Sequence, residues 1–414
     1  IGKYFDTIEE NELQASSAGI YPNVDAISSG TDAGLSYPPA FNTNTLPSGS
    51  LNAPLLSYYS SPSTSPLGFI QVQADQAKDP NYWAWNLGVE RQLPGQNDLE
   101  IDYVGNHGSS LYSRSNPNAP KQCIAANGCT VTANTPATIP WQQRTPYPNF
   151  GVLVYAGFDG FSNYNALNVK LEHRTRALDL IAAYTWSKEL DTKSAVAGFS
   201  GDNSGWAGPQ NGLDIASDYG PGNFDVGQAF RITMVYSLPF GRGRAFLGNS
   251  NRLVDAAIGG WQFSTLTSFQ GGLPFTVSAT DIQGANNTYA ERANLNPVPS
   301  GFHRSLAHWY TADSTPGSTD AEYTQPLPGD YGDSGRDSIR MPGQINSDIS
   351  MSKSFGMWEA SQLSLRADAF NAFNHWNPGQ PSNYSLIGVD PGVIYPYNTQ
   401  GSSRVLQGSV RITF

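Results

Sequence analysis

At 414 residues the chain is long enough for two or three soluble domains or for one large barrel segment. It carries 23 basic against 34 acidic residues, a net charge of −11 that argues against a nucleic-acid partner, since neutralising phosphates needs clustered Lys and Arg. Only 14% of residues are charged while 12% are aromatic, which fits neither an ordinary soluble enzyme nor a disordered chain. Such a composition suits a wall with one lipid face and one wet face.

The chain opens at Ile1 without an initiator methionine, an apolar leader or a run long enough for a membrane helix, and reads as a fragment or a processed chain. Residues 1–80, with the Pro/Ser/Asn/Tyr-rich stretch 20–66, read as an extracellular loop region, and 81–414 as barrel strands and loops. Period-2 alternation begins at Tyr82–Arg91, where Trp83, Trp85, Leu87 and Val89 share a side. Leu93-Pro94-Gly95-Gln96 is a tight turn into Asp98–Val104, with Leu99, Ile101 and Tyr103 opposite Asp98, Glu100 and Asp102. Further strands are expected at Tyr164–His173, Leu178–Trp186, Phe230–Leu238, Trp261–Phe269, Ile345–Phe355, Leu363–Phe373 and Leu406–Phe414.

Between pairs of these strands the connections are long, at 107–162, 189–225, 271–342 and 374–403. Such loops count against a compact soluble domain and are expected of an outer-membrane barrel with short periplasmic turns and long extracellular loops. The fold class is therefore all-β, an antiparallel transmembrane barrel in the bacterial outer membrane, with about nine C-terminal strands present. If the last strand descends to the periplasm, so does the first, and the chain starts in an extracellular loop. The competing architecture is a soluble β-sandwich. Against it, the outward sets end in Trp83, Trp85, Tyr184, Trp186, Trp261, Phe355 and Phe373, like interfacial girdles. The inward sets carry Glu100, Asp102, Lys170, Glu172, Arg231, Arg366 and Asp368, which a dry core rejects unpaired.

Cys123 and Cys129 lie close together with no His nearby, which points to a disulfide rather than a metal site and to an oxidising compartment. His303 and His308 lack the companion ligands of a metal centre. The loop Gly329–Asp337 lacks the ligand spacing and distal Glu of a calcium loop, and reads as a Gly-rich turn. Asp214, Asp218 and Asp225, around Tyr219-Gly220-Pro221-Gly222, read as turn caps. Arg336 and Arg340 precede a strand and suit either an ion pair within the wall or contact with a plug or an anionic ligand. Trp141, Tyr147, Trp206, Trp309 and Tyr310, with Tyr58 and Tyr59, lie in loops, where they either stack on a sugar or peptide or pack the loop shut. No acid pair or activated nucleophile emerges, so neither catalysis nor a cofactor is expected, and a secreted glycan-active protein ranks last among the readings.

Specific strings add a resemblance. Tyr82–Gly95, Asp102–Gly108 (DYVGNHG), Tyr164–Leu167 (YNAL), Tyr184–Lys188 (YTWSK), Leu238–Arg244 (LPFGRGR) and Ala369–Asn374 (AFNAFN) resemble, in order, segments of the Oar-like TonB-dependent transporter family. The ending Val410–Phe414 looks like the aromatic-ended signal read by barrel-assembly machinery, with Phe414 as its last residue. The resemblance implies a large barrel, of which this chain is roughly the last two-fifths if the full set is about 22 strands. It also implies a plug, an N-terminal segment that pairs with a TonB-type energy transducer, and often an immunoglobulin-like module, all outside this sequence. The function it implies is capture of an extracellular carbohydrate, peptide or chelate by the loops and passage through the lumen. The alternative is a non-transporting adhesin or structural barrel.

Overall fold

The computed structural model of the chain describes residues 1–5, 70–73, 78–135, 137–148, 153–194, 209–280, 291–358 and 361–414. Its frame is a 12-stranded sheet. The long strands are β3 (Asn81–Leu93), β4 (Asn97–Ser115), β5 (Leu153–Arg174), β6 (Leu178–Asp191), β8 (Gln228–Ser237), β9 (Trp261–Gln270), β17 (Gln344–Gly356), β18 (Gln362–Phe370) and β19 (Val405–Thr413). They follow the alternation read from the sequence, and each pairs antiparallel with its neighbours in that order. The alternation did not reveal β1 (Gly2–Phe5), which pairs antiparallel with β3 at the sheet edge, nor the short β2 (Ile70–Gln73), parallel to β5, and β7 (Gly220–Pro221), beside β6. Strand β1 lies inside the span 1–80 that the sequence reading gave to loop. Edges β1 and β19 are not joined among the described residues, so the sheet is an open wall.

Turn chemistry sets the hairpins. Between β3 and β4, Gly95 and Gln96 both adopt positive φ, at 82° and 61°, and the Asn97 amide donates to the Pro94 carbonyl at 2.7 Å. Two successive positive-φ residues match the right-handed twist of the flanking strands. The turns 94–96, 175–177 and 357–361 are short and lie at one end of the wall with the longer turn 238–260, while the long loops all leave from the other. The first end is the periplasmic one.

Register fixes the two faces. Glu100 lies opposite Lys170, Lys170 opposite Ala183, Ala183 opposite Arg231 and Arg231 opposite Ser268. Ser264, on the same face as Ser268, lies opposite Ser350, and Ser350 opposite Asp368. All seven inward charges of the sequence reading (Glu100, Asp102, Lys170, Glu172, Arg231, Arg366 and Asp368) therefore share one face. The other face carries Leu87 at 73% exposure, Trp186 at 60% and Val410 at 71%. Large apolar side chains so open to solvent mark the surface that lipid covers.

Strands β4 and β5 are 19 and 22 residues long, against the roughly 9–11 that a tilted strand needs to cross a bilayer. Their upper halves stand above the membrane as a ribbon, paired as far as Ser115 and Tyr155 beyond register shifts near Leu111.

The described parts of the loops after β9 and β18 are folded. They form β10 (Pro274–Phe275) with β16 (Ile339–Arg340), β11 (Ser278–Ala279) with β12 (Glu291–Arg292), and β13 (Asn294–Leu295) with β15 (Tyr323–Thr324) and β14 (Ala312–Asp313). Phe275, Val277, Ala293, Tyr310, Tyr323, Ile339 and Leu386 make a dry core between these small sheets. A one-turn helix, α1 (Trp141–Arg144), follows the Cys123–Cys129 disulfide, and α2 (Arg252–Ile258) lies in the periplasmic turn.

Candidate functional site

The inward face is polar along its length. Lys170 reaches Glu100 at 3.1 Å and Glu172 at 2.7 Å, and Arg366 reaches Asp368 at 2.8 Å. These pairs are solvated, so each adds little to stability and together they serve as a wetted, charged lining. At the upper end of this face a cavity of about 490 Å³ opens between the wall and the loop 219–227. Tyr164, Thr185, Ser187, Glu189 and Arg231 line it from the wall, and Phe224, Asp225 and Val226 from the loop.

A network of ion pairs, buried except at the half-buried Arg340, roofs the cavity. Arg336 bonds the Asp191 carboxylate, and also donates to the Asp191 carbonyl at 2.6 Å, the Asp218 carbonyl at 3.0 Å and Ser194 Oγ at 3.1 Å. Arg340 pairs with the Asp225 carboxylate and donates to the Asp225 carbonyl at 2.7 Å. Asp225 also accepts from the Glu189 backbone N–H at 2.7 Å, and Arg292 pairs with Asp218. Loops 209–227 and 271–343 are thus pinned to each other and to the top of β6.

Of the two readings open for Arg336 and Arg340, the structure has the ion pair: Arg336 pairs with Asp191 at the end of wall strand β6 and with the loop carboxylate Asp337, and Arg340 with the loop carboxylate Asp225. Asp218 and Asp225 do more than cap turns. Their arginine partners lie 74 and 115 residues away, a separation that local sequence patterns do not encode. Glu189, Asp191 and Arg292 escaped the sequence reading for the same reason. In the calcium-like loop the carboxylates turn to separate tasks: Asp333 caps the Leu295 N–H, Asp337 accepts from Thr276, and Asp330 accepts from the Tyr331 N–H. Among the described residues no group of three His, Cys, Asp or Glu side chains is placed to hold a metal ion.

The loop aromatics divide. Tyr310 requires correction as a ligand-binding residue: it is 1% exposed in the loop core, edge-on to Tyr323, with its hydroxyl donating to the Asn383 carbonyl at 3.0 Å. Burial pushes its phenol well above the usual tyrosine range. Trp309 is half-buried and its indole N–H donates to the Arg340 carbonyl at 2.7 Å, so it too ties loops together. Trp141 is half-buried on α1, and Tyr147 is exposed. Trp206, Tyr58 and Tyr59 lie outside the described residues. Cys123 and Cys129 are bonded to each other. Phe414 ends the chain just past β19, on the outward side of that strand's alternation.

Glu189 lies above Trp186, the last β6 residue to pair with β8, and so above the membrane-spanning part of the strand. Its Oε2 is buried without a hydrogen-bond partner. Burial first, then the neighbouring Asp191 and Asp225 carboxylates, pushes it up to about 8. A carboxyl raised in the folded state contributes stability that is fully present below its unfolded value near 4.5 and is lost as pH rises through about 8. The loop roof is expected to open more readily to protease as pH rises through that window, and Glu189→Gln to flatten the dependence. A pH series of limited proteolysis on cells checks this; an unchanged pH profile in the variant refutes it.

The disulfide closes a separation of six residues, so its removal in Cys123→Ser/Cys129→Ser is expected to cost about 2 kcal/mol locally. Hydrogen exchange should rise in 116–148 and stay unchanged in the wall strands.

A sheet with one lipid face, one polar face, short turns at one end and packed loops at the other defines an outer-membrane β-barrel wall. The chain belongs to the outer membrane beta barrel domain family, whose model matches residues 1–407, and its location is the bacterial outer membrane. Among solved structures it is similar to the outer membrane transporter YddB from Escherichia coli, at 11% identity and a TM-score of 0.40, covering 84% of this chain and 34% of that one. It is also similar to the pyoverdine outer membrane receptor FpvA from Pseudomonas aeruginosa PAO1, at 9% identity and a TM-score of 0.35, covering 82% of this chain and 30% of that one. The chain therefore spans about a third of the structures it resembles. No curated protein matches it.

Proposed function

We propose that the chain is part of a TonB-dependent outer-membrane transporter of the Oar-like kind, whose loops capture an extracellular ligand and whose lumen passes it inward. The observation that carries this reading is the continuity of the polar inward face with the cavity at its upper end, where Glu189 and Arg231 meet loop residues Phe224 and Asp225. A ligand held by the loops leaves them onto a wetted, charged wall instead of an apolar one. Closure of the wall by further strands, a plug and a TonB-type partner belong to the proposal, as does the absence of a catalytic step.

The test compares solutes remaining in the medium of strains with and without the full-length protein, each with and without a protonophore. A solute depleted only by energised cells carrying the protein supports transport. Depletion that persists without energisation supports the second reading, a non-transporting adhesin, which the self-packed loop core also suits. No protein-dependent depletion overturns both.

A further inference from the structure

The periplasmic turn 238–260 is far longer than a hairpin needs, and its chemistry is unlike that of the rest of the chain. Against a net charge of −11 overall, it carries Arg242, Arg244 and Arg252 with Asp255 as its lone acid. All three arginines are exposed, and none forms an ion pair among the described residues. Asp255 is turned inward, its Oδ1 accepting from the Arg242 backbone N–H at 2.6 Å. Beside these charges Leu253 is 83% exposed, Phe246 57% and Leu247 55%.

The turn is fastened to the lipid-facing side of the wall. Trp261 and Lys353 lie opposite each other on the outward face. The Trp261 indole N–H donates to the Ala257 carbonyl at 2.9 Å, and Lys353 Nζ donates to the Asp255 carbonyl at 3.2 Å and to the Ala256 carbonyl. These carbonyls lie in the last turn of α2, where a cation is favoured by the helix dipole, and that of Asp255 also accepts the Gly259 N–H at 2.8 Å. The same ammonium sits 4.8 Å from the Phe355 ring centroid, and Lys353 is 5% exposed. A small cavity of about 200 Å³ lies at the same end of the wall, lined by Arg244 together with Lys353 of the outward face and Ser352 and Ser354 of the inward face.

We propose that this turn is an interfacial anchor that lies in the periplasmic leaflet of the outer membrane and binds anionic phospholipid headgroups. Phe246, Leu247 and Leu253 enter the acyl boundary, while Arg242, Arg244 and Arg252 meet lipid phosphates. Two observations commit the surface to lipid. The helix is tied to the outward face, so its apolar side chains continue the lipid-facing band of the wall. The unpaired arginines complement anionic headgroups, as basic amphipathic segments at membranes do. The anchor does not depend on the transport reading.

The test uses the full-length protein in phosphatidylethanolamine bilayers with or without phosphatidylglycerol. Cys123 and Cys129 are bonded to each other, so Leu253→Cys adds one reactive thiol to this chain for a nitroxide label. The anchor requires the label to collide more with oxygen dissolved in lipid than with a water-soluble nickel chelate. The reverse order overturns it. The variant R242Q/R244Q/R252Q, with folding verified by resistance to heat on gels, is expected to lose phosphatidylglycerol enrichment around the protein by roughly fivefold per arginine removed at low salt. Unchanged enrichment, or full competition by inorganic phosphate, overturns the lipid assignment.

Discussion

Arg336→Ala is expected to release the extracellular roof while leaving the wall folded. The residue is 5% exposed and its side chain holds Asp191, Ser194 and the Asp218 and Gly220 carbonyls together, so one substitution unpins β6 from two loops. It also strands the Asp191 and Asp337 carboxylates without their cation. Removing one partner of a buried pair costs about 3–5 kcal/mol, because the other charge stays desolvated. The loss should appear as rapid protease cleavage within 209–227 and 291–343 on intact cells, with heat-resistant migration of the barrel unchanged. Arg336→Lys should recover little, since one ammonium cannot reproduce the several directed N–H donors of the guanidinium. A roof as protease-resistant as the parent would show that the ion pairs are incidental to loop packing.

The second large effect concerns sidedness. Leu87→Arg places a charge on the outward face of β3 and is expected to cost about 2–4 kcal/mol if it lies near the bilayer midplane. Asn86→Arg, one residue earlier and on the inward face, is expected to cost close to nothing, because the new charge meets water in the lumen. Folding yields of the two full-length variants in lipid bilayers decide this. Equal yields would contradict the assignment of faces derived from the strand register.

The wall was legible because lipid on one side and water on the other force side chains into a period of two that survives in every long strand. Gly2–Phe5 escaped because four residues show no period. Loop structure was illegible for a different reason. Tyr310 in a loop reads equally as a platform for ligand or as an internal wedge, and only the arrival of Phe275, Tyr323 and Leu386 from elsewhere in the chain decides for the wedge. Arg336 and Arg340 were visible as notable charges, but their partners Asp191 and Asp225 lie 145 and 115 residues away. The Glu189 cavity depends on the same long-range closure, whereas Arg231, its wall cation, was placed on the inward face by alternation alone.

The reach of the roof contacts also sets an order of events. The Tyr331 hydroxyl bonds the Pro120 carbonyl across 211 residues, and Arg144 lies 3.4 Å from the Gly329 carbonyl across 185. Contacts this distant form late, after chain entropy has been spent by nearer ones. The hairpins, by contrast, close over short turns. Strand pairing therefore comes first and the roof last, on the far side of the membrane. Until then the chain exposes Phe275, Val277, Tyr310 and Tyr323, so the unroofed intermediate is the form most open to aggregation and degradation during biogenesis.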